Sequence, residues 1–294
     1  MRSSSDSIGK KGETDCPQAF DPKRDSGDRP NTLYIIGIGP GSINHMSKRA
    51  IDVLETVDTV AGYTTYIKLI RPLIKDKKVI STAMKKEVER VQAAINIVLE
   101  GKSCAIVSSG DPGVYAMAGL VFEMCREKNI PIAHAGPDKK NPAGKPVMLV
   151  EVVPGIPALC SAASLLGAPL THDFAAISLS DLLTPWDLIE KRIEAAAMAD
   201  FVIALYNPKS KKRDWQLEKA QEIILKNREK KTPVGIVTSA MREDQDVRVV
   251  ALEDLHTAPV NMQTTVIIGN SASQTYLDFM FTPRGYSKKY KMDK

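Results

Sequence analysis

From Leu33 onward, short apolar runs alternate with amphipathic stretches. Leu33–Ile38 reads as a buried strand. Met46–Val57 carries Met46, Ala50, Val53 and Leu54 at helical spacing, and Thr59–Ala61 and Lys78–Ile80 read as short strands. Val88–Leu99 places Val88, Val91, Ile95, Val98 and Leu99 at three- and four-residue steps, which predicts a helix. Ser103–Ser108 and Val147–Val153 are apolar strands, with a helix at Ala116–Arg126 between them. This rhythm predicts a mainly parallel sheet with helices on both faces. Ile156–Leu166 is a helix rich in small residues, ended by Gly167 and Pro169. A second alternation follows, with strands at Phe174–Leu179, Phe201–Tyr206, Val234–Thr238 and Thr265–Ile268 and helices at Trp186–Met198 and Trp215–Arg228. The fold class expected is α/β, as two α/β domains, residues 31–168 and 169–286, joined near Gly167–Thr171.

The remaining stretches are polar. Residues 1–30 hold too few apolar side chains to offset the entropy of ordering, which predicts a disordered tail. It has no apolar h-region for a secretory signal and is not Arg-rich like a transit peptide. Ala135–Pro146 reads as a loop, and residues 287–294 as a frayed basic tail. The chain of 294 residues is 43% apolar and 26% charged, a soluble globular profile. No apolar run reaches the roughly 20 residues of a membrane span. The net charge of +5 is spread along the chain and aromatics are only 5%, which sets aside nucleic-acid binding. Cys16, Cys104, Cys125 and Cys160 lack Cys-x-x-Cys spacing. They are expected to be free, buried thiols in a reducing cytoplasm, with no metal bound.

Three motifs at strand ends carry candidate chemistry. Gly37-Ile38-Gly39-Pro40-Gly41-Ser42 follows the first strand, where glycine lets the backbone turn sharply and approach a ligand. A dinucleotide fingerprint would need glycine at Ser42 and an acid after the second strand, where Ala61-Gly62-Tyr63 stands instead. No Gly-Lys-Ser/Thr is present, so a phosphate-binding P-loop also fails. Taken alone, the loop would serve equally as an unliganded tight turn. Ser108-Ser109-Gly110-Asp111-Pro112-Gly113-Val114-Tyr115 follows another strand and precedes a helix that Asp111 could cap. The first two motifs should face one crevice beyond the strand ends. Val153-Pro154-Gly155-Ile156-Pro157-Ala158 opens the small-residue helix, suited to close approach to a ligand or to tight helix–sheet packing.

In this order and spacing, the three motifs resemble the tetrapyrrole methylase family over about Thr32 to Tyr286. Ser42 departs from that family's usual Asp. Ile177–Trp186, Leu205–Arg213 and Phe281–Tyr286 look like its branch acting at C-17 of precorrin-3B or its cobalt-containing counterpart. The resemblance implies S-adenosylmethionine as cofactor, bound in a cleft between two α/β domains, a tetrapyrrole substrate of cobalamin biosynthesis, and a homodimer.

Carried over by motif, Gly39, Pro40, Gly41, Ser109, Gly110, Asp111 and Val114 would hold the cofactor, and Pro157, Ala158, Asn207 and Ala240 would line it. The branch also contracts the macrocycle, which requires proton transfers. His172, Asp181 and Thr184 are the catalytic candidates, although His172 would also suit a hinge hydrogen bond and Asp181 a helix cap. Lys209, Lys211, Lys212 and Arg213 would grip substrate carboxylates or form a solvated turn. Rival readings are another precorrin or uroporphyrinogen methyltransferase, a nucleotide-dependent oxidoreductase, and a cofactor-binding regulatory module.

Overall fold

The computed structural model describes residues 31–135, 148–210 and 213–291. Residues 1–30, nearly all of the polar loop, Lys211, Lys212 and residues 292–294 of the basic tail lie outside the described residues.

The first sheet is built from β1 (Thr32–Gly37), β2 (Thr59–Tyr63), β3 (Lys78–Thr82), β4 (Cys104–Ser108), β5 (Ile132–His134) and β6 (Met148–Val153). Its order is β3-β2-β4-β1-β6-β5, and every pairing is parallel. All residues of β1 and β4 are buried, which explains their unbroken apolar runs. Four helices connect these strands: α1 (Lys48–Thr56), α2 (Thr64–Leu69), α3 (Glu87–Leu99) and α4 (Met117–Glu127). Leu33 and Ile35 pack with Val91, Ile95 and Val121 on one face. Ile36 packs with Val53, Leu54 and Val107 on the other, as strand alternation requires. The helical spacing that predicted α3 also included Val88 and Leu99, but both are exposed, because they sit in its terminal turns beyond the covering strands.

Helix α5 (Ala158–Leu166) runs into β7 (Gly167–Ala168). The second sheet then forms from β8 (Phe174–Ser178), β9 (Val202–Tyr206), β10 (Pro233–Thr238), β11 (Asp246–Ala251) and β12 (Thr264–Ile268) in the order β11-β10-β12-β9-β8. It is mixed. β8 and β9 are parallel, while β12 runs antiparallel to both β9 and β10, and β11 antiparallel to β10. Crossover helices α6 (Trp186–Met198) and α7 (Gln216–Leu225) precede β9 and β10. No such helix precedes β11 or β12, and a strand without a crossover helix returns antiparallel. β8, β9 and β10 therefore point the same way and end at one edge.

Helices α6 and α7 cover one face of this sheet through Ile189, Ile193, Leu217 and Ile224. Helix α5 covers the other, with Leu159, Ala162, Ala163 and Leu166 against Val202, Ala204, Val237 and Ile267. A Cβ on Gly235 would meet Leu166 Cδ1 at 2.2 Å, so the small residues of α5 serve helix–sheet packing. A small third sheet joins β7 to β14 (Phe279–Phe281) and β13 (Gln274–Tyr276), and α8 (Tyr286–Lys289) follows. Of the described cysteines, Cys104 and Cys125 are buried as expected, but Cys160 is exposed on the outward side of the first turn of α5. Burial pushes the Cys104 thiol up to about 12. Among the described residues no helix is long and apolar enough to cross a membrane.

Candidate cofactor cleft

The three motifs leave the carboxyl ends of β1, β4 and β6 and meet backbone to backbone. Gly39 N donates to Gly110 O at 3.1 Å, and Gly110 N donates to Gly39 O at 2.7 Å. Both have left-handed φ, +68° and +69°, which glycine adopts at no steric cost. A Cβ on Gly155 would lie 2.3 Å from Gly110 O and 2.7 Å from Gly37 C. Glycine therefore lets three strand ends converge on one another's main chain, with Pro112 Cδ packed beside them, 2.8 Å from where a Gly37 Cβ would lie.

Asp111 ties two of the motifs together. Its Oδ1 accepts from Gly113 N at 2.8 Å and its Oδ2 from Gly155 N at 3.1 Å. The cap of α4 is Ala116, with no side-chain bond, so Asp111 does not cap that helix as its sequence position suggested. The intervening loop puts it five residues too early. Pro40 and Gly110 are buried, Ser109 and Val114 half-buried, and Pro157 stands immediately before the first turn of α5 with Ala158.

The opposite wall comes from the ends of β8, β9 and β10. The Tyr115 hydroxyl donates to Ala176 O at 2.8 Å, and the Tyr206 hydroxyl accepts from Leu159 N at 2.9 Å. The two rings pack 5.1 Å apart. Burial pushes the Tyr206 phenol up to about 12, so it stays protonated at neutral pH. Asn207, at φ +52°, donates from Nδ2 to Ser178 Oγ at 2.9 Å. Ala240 is half-buried in the turn after β10. That turn also carries Arg242, which sequence reasoning passed over. Its Nε donates to Pro40 O at 2.6 Å and its Nη2 to Ser109 Oγ at 3.1 Å. Nothing in the local sequence signals it, because the contact spans 202 and 133 positions.

The remaining candidates divide. His172 is not at the cleft. It precedes β8, whereas the cleft lies beyond the end of that five-residue strand, about 15 Å further on. Its Nδ1 accepts from Asp173 N at 2.9 Å, a local hinge contact. Asp181 follows β8 at the cleft edge, where its Oδ2 accepts from Gln216 Nε2 at 3.0 Å. It does not cap α6, whose cap is Pro185. Thr184 lies half-buried in the same loop, beside the exposed Leu182 and Leu183. Lys209 is half-buried at the end of β9. Arg213 is 6% exposed rather than solvated, and its Nη2 donates to Asn207 O at 2.9 Å. Burial pulls its guanidinium pKa down, opposed by nearby Asp181. Arg213 thus braces the cleft wall, its charge turned inward onto the Asn207 carbonyl, with Ser180 Oγ and Met262 Sδ beside it. Lys211 and Lys212 lie outside the described residues.

The tetrapyrrole (corrin/porphyrin) methylase family model matches residues 32–256. The chain belongs to this family. Among its relatives, a cobalt-factor III methyltransferase of Priestia megaterium is 49% identical over 261 residues, covering 89% of this chain and 46% of that protein. The chain thus spans about half the length of that relative. A probable cobalt-factor III C(17)-methyltransferase of Salmonella typhimurium is 44% identical over 255 residues, 87% of this chain and 99% of that one. Among solved structures, the methyltransferase CobJ superposes with a TM-score of 0.75 at 32% identity, covering 86% of this chain and 100% of the other. In this methylase the three family motifs are the three loops that converge on Gly37, Gly110 and Gly155.

Proposed function

We infer that this methylase transfers a methyl group from S-adenosylmethionine to C-17 of a trimethylated tetrapyrrole of cobalamin biosynthesis, cobalt-factor III or precorrin-3B, with ring contraction. The observation that carries this reading is the close backbone convergence of the three loops at Gly37, Gly110 and Gly155, facing the ends of β8, β9 and β10 across a cleft. The residues suit such a cofactor. Pro40, Pro157, Ala158 and Ala240 offer small apolar surface to an adenosyl group, and the Ser109 hydroxyl and exposed backbone offer polar contacts. The chain has no Gly-Lys-Ser/Thr phosphate loop and no acid at the end of β2 to hold a ribose of NAD, which weighs against the oxidoreductase reading.

When bound, S-adenosylmethionine supplies an electrophilic methyl group on a sulfonium sulfur. The chain's own part is orientation. Asp111 holds the second and third loops in register, and Tyr115 and Tyr206 fix the two walls against each other. Holding two reactants in line lowers a barrier by roughly 7–11 kcal/mol, so an electron-rich carbon nucleophile needs no strong protein base. For the proton transfers of ring contraction, Asp181 and Thr184 remain at the cleft edge, and His172 does not. Lys209, in the loop after β9, would meet substrate carboxylates. The same reading takes the protein as a cytoplasmic homodimer, which light scattering tests.

Turnover tests the function directly. Incubation with S-adenosylmethionine and each trimethylated substrate, cobalt-containing and metal-free, should yield a product heavier by one methyl group. Methylation of neither, with NAD binding in place of S-adenosylmethionine, would establish the rival.

A further inference from the structure

The turn between β10 and β11 is costly to build, and its product is one cation thrown across the cleft. Ser239 and Met241 both adopt left-handed φ, +50° and +61°, which non-glycine residues avoid. A dense set of bonds holds them there. Ser239 Oγ lies 2.8 Å from Asp244 Oδ2 and 2.6 Å from Gln263 Oε1, and Met241 N donates to Gln245 Oε1 at 2.8 Å. Arg242 N donates to Ser239 O at 3.0 Å, and Gln245 N to Arg242 O at 3.2 Å. From this rigid base the Arg242 side chain reaches Pro40 O and Ser109 Oγ, one acceptor in each of two cofactor loops. Gly41 makes room for it, since a Cβ there would lie 2.6 Å from Arg242 Nε. No carboxylate among the described residues pairs with the guanidinium, so neutralising an acid is not its task.

We propose that Arg242 is a positioning residue, a guanidinium from the second sheet that sets the relative placement of the Pro40 and Ser109 loops on the first and so the seat of the reacting cofactor. The proposal rests on the methyltransferase reading given above. Two acceptors in fixed relation call for the planar fork of arginine, which a lysine ammonium cannot reproduce. A misplacement of about 1 Å can cost about a hundredfold in rate, which makes the loop spacing a catalytic quantity.

The test compares Arg242→Met and Arg242→Lys with the full-length wild-type protein. Arg242→Met should raise the Kd for S-adenosylhomocysteine at least tenfold and lower kcat by a larger factor than it raises the KM for the tetrapyrrole. Arg242→Lys, holding one acceptor at a time, should fall between. Hydrogen exchange should quicken at the amides of Ile38, Gly39, Gly41, Ser42, Ser109, Gly110, Asp111 and Gly113 in Arg242→Met and stay unchanged in α3. That last readout needs no cofactor or turnover. If the wild type fails to methylate either substrate, the functional reading falls while exchange still decides the role of Arg242. A folded Arg242→Met with unchanged exchange in both loops would overturn the proposal. So would an unchanged Kd and kcat in a wild type that does turn over. If Arg242→Met does not fold, Arg242→Lys carries the test, and wild-type exchange in that variant would equally overturn the proposal.

Discussion

Replacing Gly155 with alanine adds one methyl group at the point where three strand ends touch. The new Cβ would lie 2.3 Å from Gly110 O and 2.7 Å from both Gly37 C and Gly37 O. Ordinary contact begins at 3.4 Å, so the backbone must open by 3.4 − 2.3, about 1.1 Å. All three neighbours are main-chain atoms and none can rotate away. Overpacking of this kind costs about 1–3 kcal/mol. The opening also strains the reciprocal bonds between Gly39 and Gly110, each worth about 0.5–1.5 kcal/mol. Stability should therefore fall by about 2–6 kcal/mol, a large share of the roughly 5–15 kcal/mol that such a protein has. Affinity for S-adenosylhomocysteine should fall at least tenfold, because the seat itself has moved. Gly119→Ala is the matched control. It lies inside α4 with no atom within 4 Å of its Cβ, and should gain about 0.5–1 kcal/mol without changing affinity. Denaturant unfolding and titration calorimetry read both quantities. A Gly155→Ala protein as stable as wild type, with unchanged affinity, would refute the reasoning.

Asp111→Ala removes the acceptor that joins the second loop to the third at Gly155 N and the one that closes the second loop on Gly113 N, bonds worth about 1.5–3 kcal/mol each when shielded and less at this half-buried site. Cofactor affinity should drop about tenfold or more with the fold retained, as calorimetry on the folded mutant will show. His172→Gln should leave kcat and its pH profile unchanged, since the ring lies at the far end of β8; a large loss of kcat would return His172 to the catalytic candidates. Acid should destabilise the protein through Asp58 and Asp200. Bonds from Ser103 N and Oγ hold the Asp58 carboxyl low. At Asp200 partial burial pushes up, but Ser271 and Arg228 outweigh it and the carboxyl is again lowered. A depressed carboxylate contributes stability above its unfolded value near 4, and that contribution is lost as pH falls through the lower folded value. Urea midpoints should thus fall below about pH 4, and less so in Asp58→Asn/Asp200→Asn; identical acid profiles would contradict the assignment.

What could be read from the sequence was what repeats locally. The apolar runs of β1 and β4 and the spacing in α1 and α3 mark buried elements, because burial on one or both faces dictates side-chain type within a few residues. The three glycine loops were legible for the same reason, as left-handed φ and close backbone approach admit little else. Relations across the chain were not. Arg242 meets Pro40 only because β10 ends opposite β1, and no local pattern encodes that. Arg213 reads as part of a basic surface run, yet it is buried against the Asn207 carbonyl, Ser180 and Met262. Strand β11 was not read as a strand at all, and the antiparallel course of β12 was missed because connection geometry, and not strand composition, sets direction. The short α2 and the hairpin of β13 and β14 fall below the length at which periodicity is visible.

The central claim is methyl transfer to C-17 by this chain. The most direct measurement supplies S-adenosylmethionine carrying a carbon-13 methyl group, with the trimethylated substrate in its cobalt-containing and metal-free forms, and locates the label in the product by NMR. The account predicts a single labelled methyl at C-17 of a ring-contracted macrocycle, formed from at least one of the two substrates. Label at another ring position, or intact substrate with both forms alongside bound S-adenosylmethionine, would contradict it.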